Sequence, residues 1–245
     1  MELFKDTIAE VRAFVSQTEP LRSWDEDHTL IWPKGGGRNI VLKEDLGLEL
    51  GSPEKDSVSC LLWTHDRTKI ADGRITLLGQ DFFDSQGLSL PFGKVVIVGV
   101  EGFTEDNAYE RHKDMDFLRY NLDLKGFMLR AVSQFMREWC RISKEALRAN
   151  FTTQILGSAL MELFRTQPFV KAVEIIYCTS STADVSKLKE ITSPAEKIIA
   201  AMNKMAGEMD FECGSCDYQD VCDEAEGLKG MRDRLMEKSK EAMHG

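Results

Sequence analysis

Residues 94–101 most restrict the folds open to this chain. The run reads KVVIVGVE and is apolar without interruption from Val95 to Val100. A strand without alternation of apolar and polar side chains is typically buried on both faces. We therefore expect a central strand in a sheet that other elements cover on both sides.

The rest of the pattern divides into a β-rich first half and a helical second half. Apolar residues recur at helical spacing over 2–17, which predicts an amphipathic helix. The other predicted strands are 28–32, 38–42, 58–64, 74–78 and a half-buried strand at 170–178. The other predicted helices are 109–137, as one helix or with a break near 124–126, and then 144–149, 151–166, 184–209 and 227–243. Residues 138–142 fit either a helix or a strand. This order predicts an α+β (mixed α/β) fold.

The same pattern divides the chain into three units. Residues 1–27 are expected to form an N-terminal helical unit, and 28–209 an α+β domain. Residues 210–245 are expected to form a small appendage with a cysteine loop and a terminal helix.

The charge balance limits the classes of partner. The chain has 31 basic and 41 acidic residues, which gives a net charge of −10. An acidic surface argues against nucleic acid as the main partner. No apolar run reaches the roughly 20 residues that span a bilayer, and the N-terminus lacks a signal-peptide core. We expect a cytoplasmic protein whose cysteines are thiols or metal ligands rather than disulfides.

Three of the six cysteines fall in the run CGSCDYQDVC, at Cys213, Cys216 and Cys222. A C-x2-C-x5-C loop can bring three thiolates to one metal centre. This pattern favours an iron–sulfur cluster, since a zinc site usually shows a second C-x2-C or histidine pair. Zinc and structural thiols without a metal stay open as alternatives. The fourth ligand is expected from Cys178 or Cys140, from a non-cysteine group, or from an open site.

A second candidate site surrounds Trp139 and Arg141. If 138–142 is a strand, both side chains project from one face. The arginines of this region are Arg130, Arg137, Arg141 and Arg148. Such a group, near a predicted helix N-cap at Ser143, suits a phosphorylated, adenine-bearing ligand. The alternative is a solvated basic face paired with Glu138 and Glu145.

The glycine-rich loop at 33–37, PKGGG, is a further candidate for a phosphate cradle. It lacks the Gly-Lys-Ser/Thr ending of a P-loop, and a strand rather than a helix is predicted to follow. A hairpin or loose turn is therefore the preferred interpretation.

Several short motifs, in order, resemble one family. The run GRITLLGQD at 73–81, followed by LSLPFG at 88–93, resembles the middle domain of the acetyl-CoA synthase (beta) subunit of carbon monoxide dehydrogenase/acetyl-CoA synthase. There a DGKIELVGPD run leads to LPLG and a valine-rich strand, as 94–100 follows here. The run WCRISKEA at 139–146 is similar to that family's W-L/I-R-V/I-S-K-D-A pattern. The resemblance extends over residues 29–222.

The resemblance implies cofactors as well as a fold. In that family a cysteine loop after the middle domain holds a [4Fe–4S] cubane bridged to two nickel ions. Cys213 and Cys216 match its first C-x2-C, but Cys222 comes too early, and the Cys-Gly-Cys tripeptide that binds the distal nickel is missing. A [4Fe–4S] cluster without nickel is therefore expected. The resemblance also implies that Trp139 and Arg141 face coenzyme A or the cluster.

Two functions are consistent with these features. The first is a shortened homologue of the acetyl-CoA synthase subunit, acting in C1, acetyl-CoA or corrinoid metabolism and binding coenzyme A. The second is a non-catalytic iron–sulfur module for electron transfer or interaction, which docks onto a methyltransferase or corrinoid protein.

Overall fold

The computed structural model describes residues 2–19, 21–37, 39–133, 137–207 and 216–244. The strands in these residues are β1 (Leu21–Asp25), β2 (Leu46–Leu50), β3 (Ser57–Thr64), β4 (Arg74–Leu78), β5 (Ser89–Leu90), β6 (Phe92–Val100), β7 (Phe127–Ser133), β8 (Arg137–Ser143) and β9 (Val170–Cys178). The helices are α1 (Lys5–Gln17), α2 (Ala108–Phe117), α3 (Lys144–Arg148), α4 (Thr153–Arg165), α5 (Thr182–Gly207), α6 (Gln219–Glu224) and α7 (Glu226–His244). Short 3₁₀ turns lie at Arg67–Lys69, Phe83–Ser85 and Leu118–Asn121. The α+β prediction is confirmed.

The strands form two sheets. The five-stranded sheet has the order β1-β4-β9-β6-β3, and the four-stranded sheet has the order β5-β2-β8-β7. Strand β6 pairs in parallel with β3 and antiparallel with β9. Every residue of β6 is buried. The predicted strand, covered on both faces, is therefore confirmed, and it lies inside the larger sheet between β9 and β3.

Other layers cover both faces of the five-stranded sheet. On one face, Gly93 of β6 lies against Leu188 of α5. Helix α1 packs along α5 there. On the opposite face, Gly157 of α4 lies against Ile75 of β4. The four-stranded sheet covers the β3–β6 part of that second face through hydrogen bonds to Glu138 of β8. The five-stranded sheet is thus covered by helices on one face and by α4 together with the four-stranded sheet on the other.

Polar side chains fix the starts of two helices between β8 and β9. The Ser143 hydroxyl accepts a hydrogen bond from the Ala146 amide at 3.1 Å, which confirms the predicted N-cap of α3. At α4, the Thr153 amide donates to the buried Asp81 carboxylate at 2.8 Å. These hydrogen bonds define where α3 and α4 begin. The Asp81 contact also connects the start of α4 to the segment that follows β4 of the larger sheet.

One predicted helix is wrong in extent, and one predicted strand is wrong in its burial. The helix predicted over 109–137 ends at Phe117, and 127–133 form strand β7 instead. The backbone of β7 pairs with β8, as in Phe127 opposite Ile142, and this pairing overrides local helix propensity. The strand predicted at 170–178 is correct in its bounds but buried rather than half-buried, because it lies between β4 and β6.

The strands predicted at 28–32 and 38–42 are also wrong. Residues 28–32 and 39–42 are irregular, and position 38 lies outside the described residues. The hydrogen bonds within 28–32 are turn-like, as from the Ile31 amide to the Thr29 carbonyl at 2.9 Å, and further bonds go to a distant loop. The Lys125 amide donates to the Pro33 carbonyl at 2.8 Å, and the Trp32 indole donates to the Lys125 carbonyl at 2.9 Å.

One hydrophobic cluster includes residues from Leu3 near the N-terminus to Met231 in α7. The division into units at 27/28 and 209/210 stays a prediction. Among the described residues, no helix combines the length and apolar character required to cross a membrane.

Candidate functional site

Strand β8 presents two chemically different faces. Its side chains alternate, with Glu138, Cys140 and Ile142 buried and the intervening residues partly exposed. Trp139 and Arg141 therefore lie on the same, outer face of the four-stranded sheet. The strand interpretation of 138–142 is confirmed, and the helical one is wrong.

On this outer face, two guanidinium groups lie over one indole ring. The Cζ atom of Arg130 on β7 is 4.5 Å from the Trp139 ring centroid, and that of Arg141 is 5.5 Å from it. Both distances are within the range of cation–π attraction. Arg130 is exposed and has no ion pair within the described part of the chain. The buried Nε1 of Trp139 also has no hydrogen-bond partner there.

The other arginines of the region have different surroundings. Arg141 Nε donates to Glu49 Oε1 at 2.8 Å, and both side chains are mostly shielded, at 15% and 16% exposure. Arg137 donates to the Lys55 carbonyl at 2.9 Å, which ties β8 to the turn before β3. Arg148 lies on α3 and lines a separate cleft of about 560 Å³. The structure therefore brings together Arg130, Trp139 and Arg141, and does not add Arg148 to them.

A buried charge pair lies behind this face. The Glu138 carboxylate accepts hydrogen bonds from Lys94 of β6 and, at 3.1 Å, from the Ser59 hydroxyl. Ser57 Oγ donates to the Glu138 carbonyl at 2.7 Å and accepts from its amide at 3.1 Å. Burial tends to raise the pKa of Glu138, but the charge and hydrogen bond of Lys94 hold it below its usual range. The predicted pairing of Glu138 with a surface arginine is therefore wrong, because Glu138 faces the core.

The glycine-rich loop binds a carboxylate of the protein itself. Asp123 accepts hydrogen bonds from the amides of Gly35, Gly36 and Gly37 at 3.0, 3.2 and 3.3 Å, and from Asn39 Nδ2 at 2.9 Å. Hydrogen bonding, first from Gly37 and then from Asn39, lowers the pKa of Asp123. These amides have the geometry of an anion site. Because Asp123 occupies them, the loop is a turn, as preferred, rather than a phosphate cradle.

The two isolated candidate cysteines are buried thiols. Cys140 faces the Lys94–Glu138 pair, with its Sγ 3.7 Å from Glu138 Oε1. Cys178 ends β9 beside Gly93 and lies 3.4 Å from the Ser180 hydroxyl. Burial raises the pKa of both thiols. Neither thiol is ionised readily in this environment.

The described part of the cysteine loop, residues 216–222, follows α5 in the chain. Cys222 is buried on α6, and Cys216 is half-buried just before that helix. Helix α6 contacts α5, and Val221 lines a cleft together with Pro194. Among the described residues, Cys178, Cys216 and Cys222 are not grouped closely enough to hold one metal ion.

Cys213 lies outside the described residues. Within the part of the chain that the structure describes, no three His, Cys, Asp or Glu side chains are grouped closely enough to hold a metal ion. The metal ligand set of Cys213, Cys216, Cys222 and Cys178 stays a prediction.

A family model described as CO dehydrogenase/acetyl-CoA synthase complex beta subunit matches residues 35–184. The chain belongs to this family. The match covers β2 to β9, and so includes Glu49, Arg130, Trp139 and Arg141. It ends before the loop that begins at Cys213.

Individual relatives agree with the family assignment. Acetyl-CoA decarbonylase/synthase complex subunit beta 2 of Methanosarcina thermophila is 30% identical over 151 residues, which are 60% of this chain and 30% of the relative. Subunit beta 1 of Methanosarcina mazei is 27% identical over 175 residues, or 70% and 36% of the two chains. Subunit beta of Methanopyrus kandleri is 27% identical over 165 residues, or 66% and 33%. The chain spans about a third of the length of these curated relatives.

The sequence patterns missed two residues of the site. Glu49 is in the short run LGLEL, where polar and apolar residues alternate, and this alternation was the available signal for β2. Lys94 reads as the polar start of an apolar strand. Its burial beside Glu138 depends on the packing of two sheets, which no local pattern contains.

Proposed function

We propose that this protein is an iron–sulfur protein related to the acetyl-CoA synthase beta subunit and that it binds coenzyme A on the outer face of β7 and β8. The observation that carries the coenzyme A proposal is the pair of guanidinium groups of Arg130 and Arg141 over Trp139. Membership of the family supports it.

The chemistry of this face suits a ligand with several phosphate groups. Guanidinium groups bind phosphate oxygens through charge-assisted hydrogen bonds, which are stronger than neutral ones. Trp139 contacts both groups by cation–π attraction. Its own Nε1–H has no partner among the described residues. Coenzyme A carries a pyrophosphate and a further phosphate on its ribose. We propose that Arg130 and Arg141 bind these groups.

Tryptophan fluorescence tests this proposal. Coenzyme A should change the emission of wild-type protein, and the change should be absent in Trp139→Phe. Arg141→Ala should weaken binding by about tenfold or more, as expected for the loss of a charge-assisted hydrogen bond. Arg22→Ala is the matched control, because Arg22 forms an exposed ion pair with Asp84 on β1. Unchanged wild-type emission at millimolar coenzyme A would refute the binding proposal.

We further propose that Cys213, Cys216 and Cys222 hold a [4Fe–4S] cluster. The C-x2-C-x5-C spacing supports this, and the cluster would supply electron transfer. The proposal leaves the fourth ligand open between Cys178, which is not grouped with Cys216 and Cys222 among the described residues, and a non-cysteine or external group. We propose the cluster without nickel, since Cys213 and Cys216 match only the first C-x2-C of the family's cluster loop.

Metal and sulfide analysis of anaerobically purified protein tests the cluster. Iron and acid-labile sulfide should be present in wild type and largely lost in Cys216→Ser and Cys222→Ser. Cys60→Ala is the control, since Cys60 is buried in β3. Cys178→Ser tests the fourth ligand. A protein without iron or sulfide would contradict the proposal, and stoichiometric zinc without sulfide would replace it with a zinc site.

A second function is compatible with the part of the relatives that this chain matches, which is about a third of each. We propose as the alternative a non-catalytic electron-transfer or interaction module that docks onto a methyltransferase or corrinoid protein. Metal analysis and the coenzyme A titration together separate the two functions. Stoichiometric nickel with the iron would support catalysis, whereas iron alone, with no change of emission on addition of coenzyme A, would support the module.

A further inference from the structure

Glu49 and Arg141 face each other across the pair of strands β2 and β8. They are direct partners in the antiparallel register. Their side chains therefore project from the same face of the sheet, the one that carries Trp139. Glu49 reaches Arg141 but makes no hydrogen bond to Arg130.

The contact uses only one edge of the guanidinium group. Arg141 Nε donates to Glu49 Oε1 at 2.8 Å. The two terminal nitrogens, Nη1 and Nη2, have no hydrogen bond to any residue that the structure describes. An ion pair formed to neutralise arginine commonly uses two parallel hydrogen bonds. The single Nε contact leaves the two terminal nitrogens available to an anion.

We propose that Glu49 is a positioning residue for anion binding on this face. It holds the Arg141 side chain by Nε, so that Nη1, Nη2 and the Arg130 guanidinium form one preorganised phosphate site. A long arginine side chain otherwise loses rotamer freedom when it binds an anion, and a restraint applied beforehand removes that cost. This inference deepens the proposed function and rests on it.

The alternative role for a carboxylate here is to compete with the ligand for Arg141. The two roles predict different effects on anion binding when the length or the charge of the side chain at position 49 is changed. Positioning depends on an acceptor at the correct reach, whereas competition depends on negative charge. Glu49→Gln keeps the reach and removes the charge. Glu49→Asp keeps the charge and shortens the reach by one carbon–carbon bond, about 1.5 Å.

Calorimetric titration with inorganic pyrophosphate tests the proposal on the full chain. Glu49→Gln should bind within about twofold of wild type, and Glu49→Asp should bind about three- to tenfold more weakly, the effect expected from freeing one long side chain. Glu145→Gln is the matched control, because Glu145 pairs with exposed Lys125 and has no contact with Arg141. Circular dichroism checks that each variant is folded.

The outcomes separate this inference from the proposed function. If Arg141→Ala loses pyrophosphate binding but Glu49→Asp binds like wild type, the positioning role is overturned and the proposed site stands. Tighter binding by Glu49→Gln with unchanged binding by Glu49→Asp shows competition and also overturns positioning. Binding that Arg141→Ala does not change, or no binding by wild type, overturns the proposed site together with this inference.

Discussion

Single residues in this fold have protonation states that the core enforces. His112 on α2 is 6% exposed, and its Nδ1 has no hydrogen-bond partner among the described residues. Burial, with a smaller contribution from the charge of Arg119, lowers the pKa of His112 from 6.5 to about 4. The folded protein therefore keeps this imidazole neutral at a pH where the unfolded chain protonates it.

This shift predicts acid destabilisation with a defined sign. Because the unfolded state binds more protons, the free energy of unfolding should fall as the pH falls from 6.5 to about 4. The contribution is about 3 kcal/mol at most. Urea unfolding at several pH values should show a shallower decline for His112→Gln than for wild type. His28→Gln, at an exposed histidine, should retain the wild-type decline. An equal decline in wild type and His112→Gln would contradict the prediction.

At the scale of elements, one carboxylate binds the glycine turn at 35–37, within the irregular segment before β2. Asp123 binds the three successive amides of Gly35, Gly36 and Gly37, and Gly36 and Gly37 have positive φ angles of 71° and 72°. Glycine adopts such angles without the steric cost of a side chain. Glycine at 36 and 37 therefore allows the loop conformation, and the hydrogen bonds to Asp123 stabilise it.

Loss of this carboxylate should release the loop locally. Asp123→Ala leaves the three amides to water, and we expect faster hydrogen exchange and faster proteolysis within 33–40, with little change in the five-stranded sheet. Asp114→Ala, an exposed aspartate on α2, is the control. Exchange in 33–40 that is identical in Asp123→Ala and wild type would show that other contacts hold the segment.

The success of sequence-based prediction also depends on the element. Strands β3, β4 and β6 were predicted within a residue or two because β-branched and apolar runs specify a buried strand directly. Strand β7 was predicted as helix, since its pairing with β8 is not local. The two-residue period of a strand predicts that Trp139 and Arg141 lie on one face of β8. Glu49 could not be added, because it reaches Arg141 only through strand pairing between residues far apart in sequence.

At the scale of the whole molecule, α1 is tied to the sheet by a salt bridge between residues 162 positions apart. Arg12 Nη1 donates to Glu174 Oε1 at 2.7 Å, and Arg12 Nη2 donates to the Lys69 carbonyl at 2.6 Å. Glu174 also accepts from the Ala71 amide at 2.8 Å. The Glu174 side chain is only 3% exposed, while that of Arg12 is 38% exposed. The pair therefore connects the N-terminal helix, the 67–71 turn and β9.

Removal of Arg12 alone should destabilise the fold more than removal of both charges of the Arg12–Glu174 pair. Arg12→Ala leaves a buried carboxylate without its cation, and we expect the free energy of unfolding to fall by about 2–3 kcal/mol. The double variant Arg12→Ala/Glu174→Gln removes the buried charge as well and should recover about 1 kcal/mol. Arg22→Ala breaks an exposed pair with Asp84 and should cost less than about 1 kcal/mol. Urea denaturation measures all three, and equal losses in Arg12→Ala and Arg22→Ala would show that α1 is held by apolar packing alone.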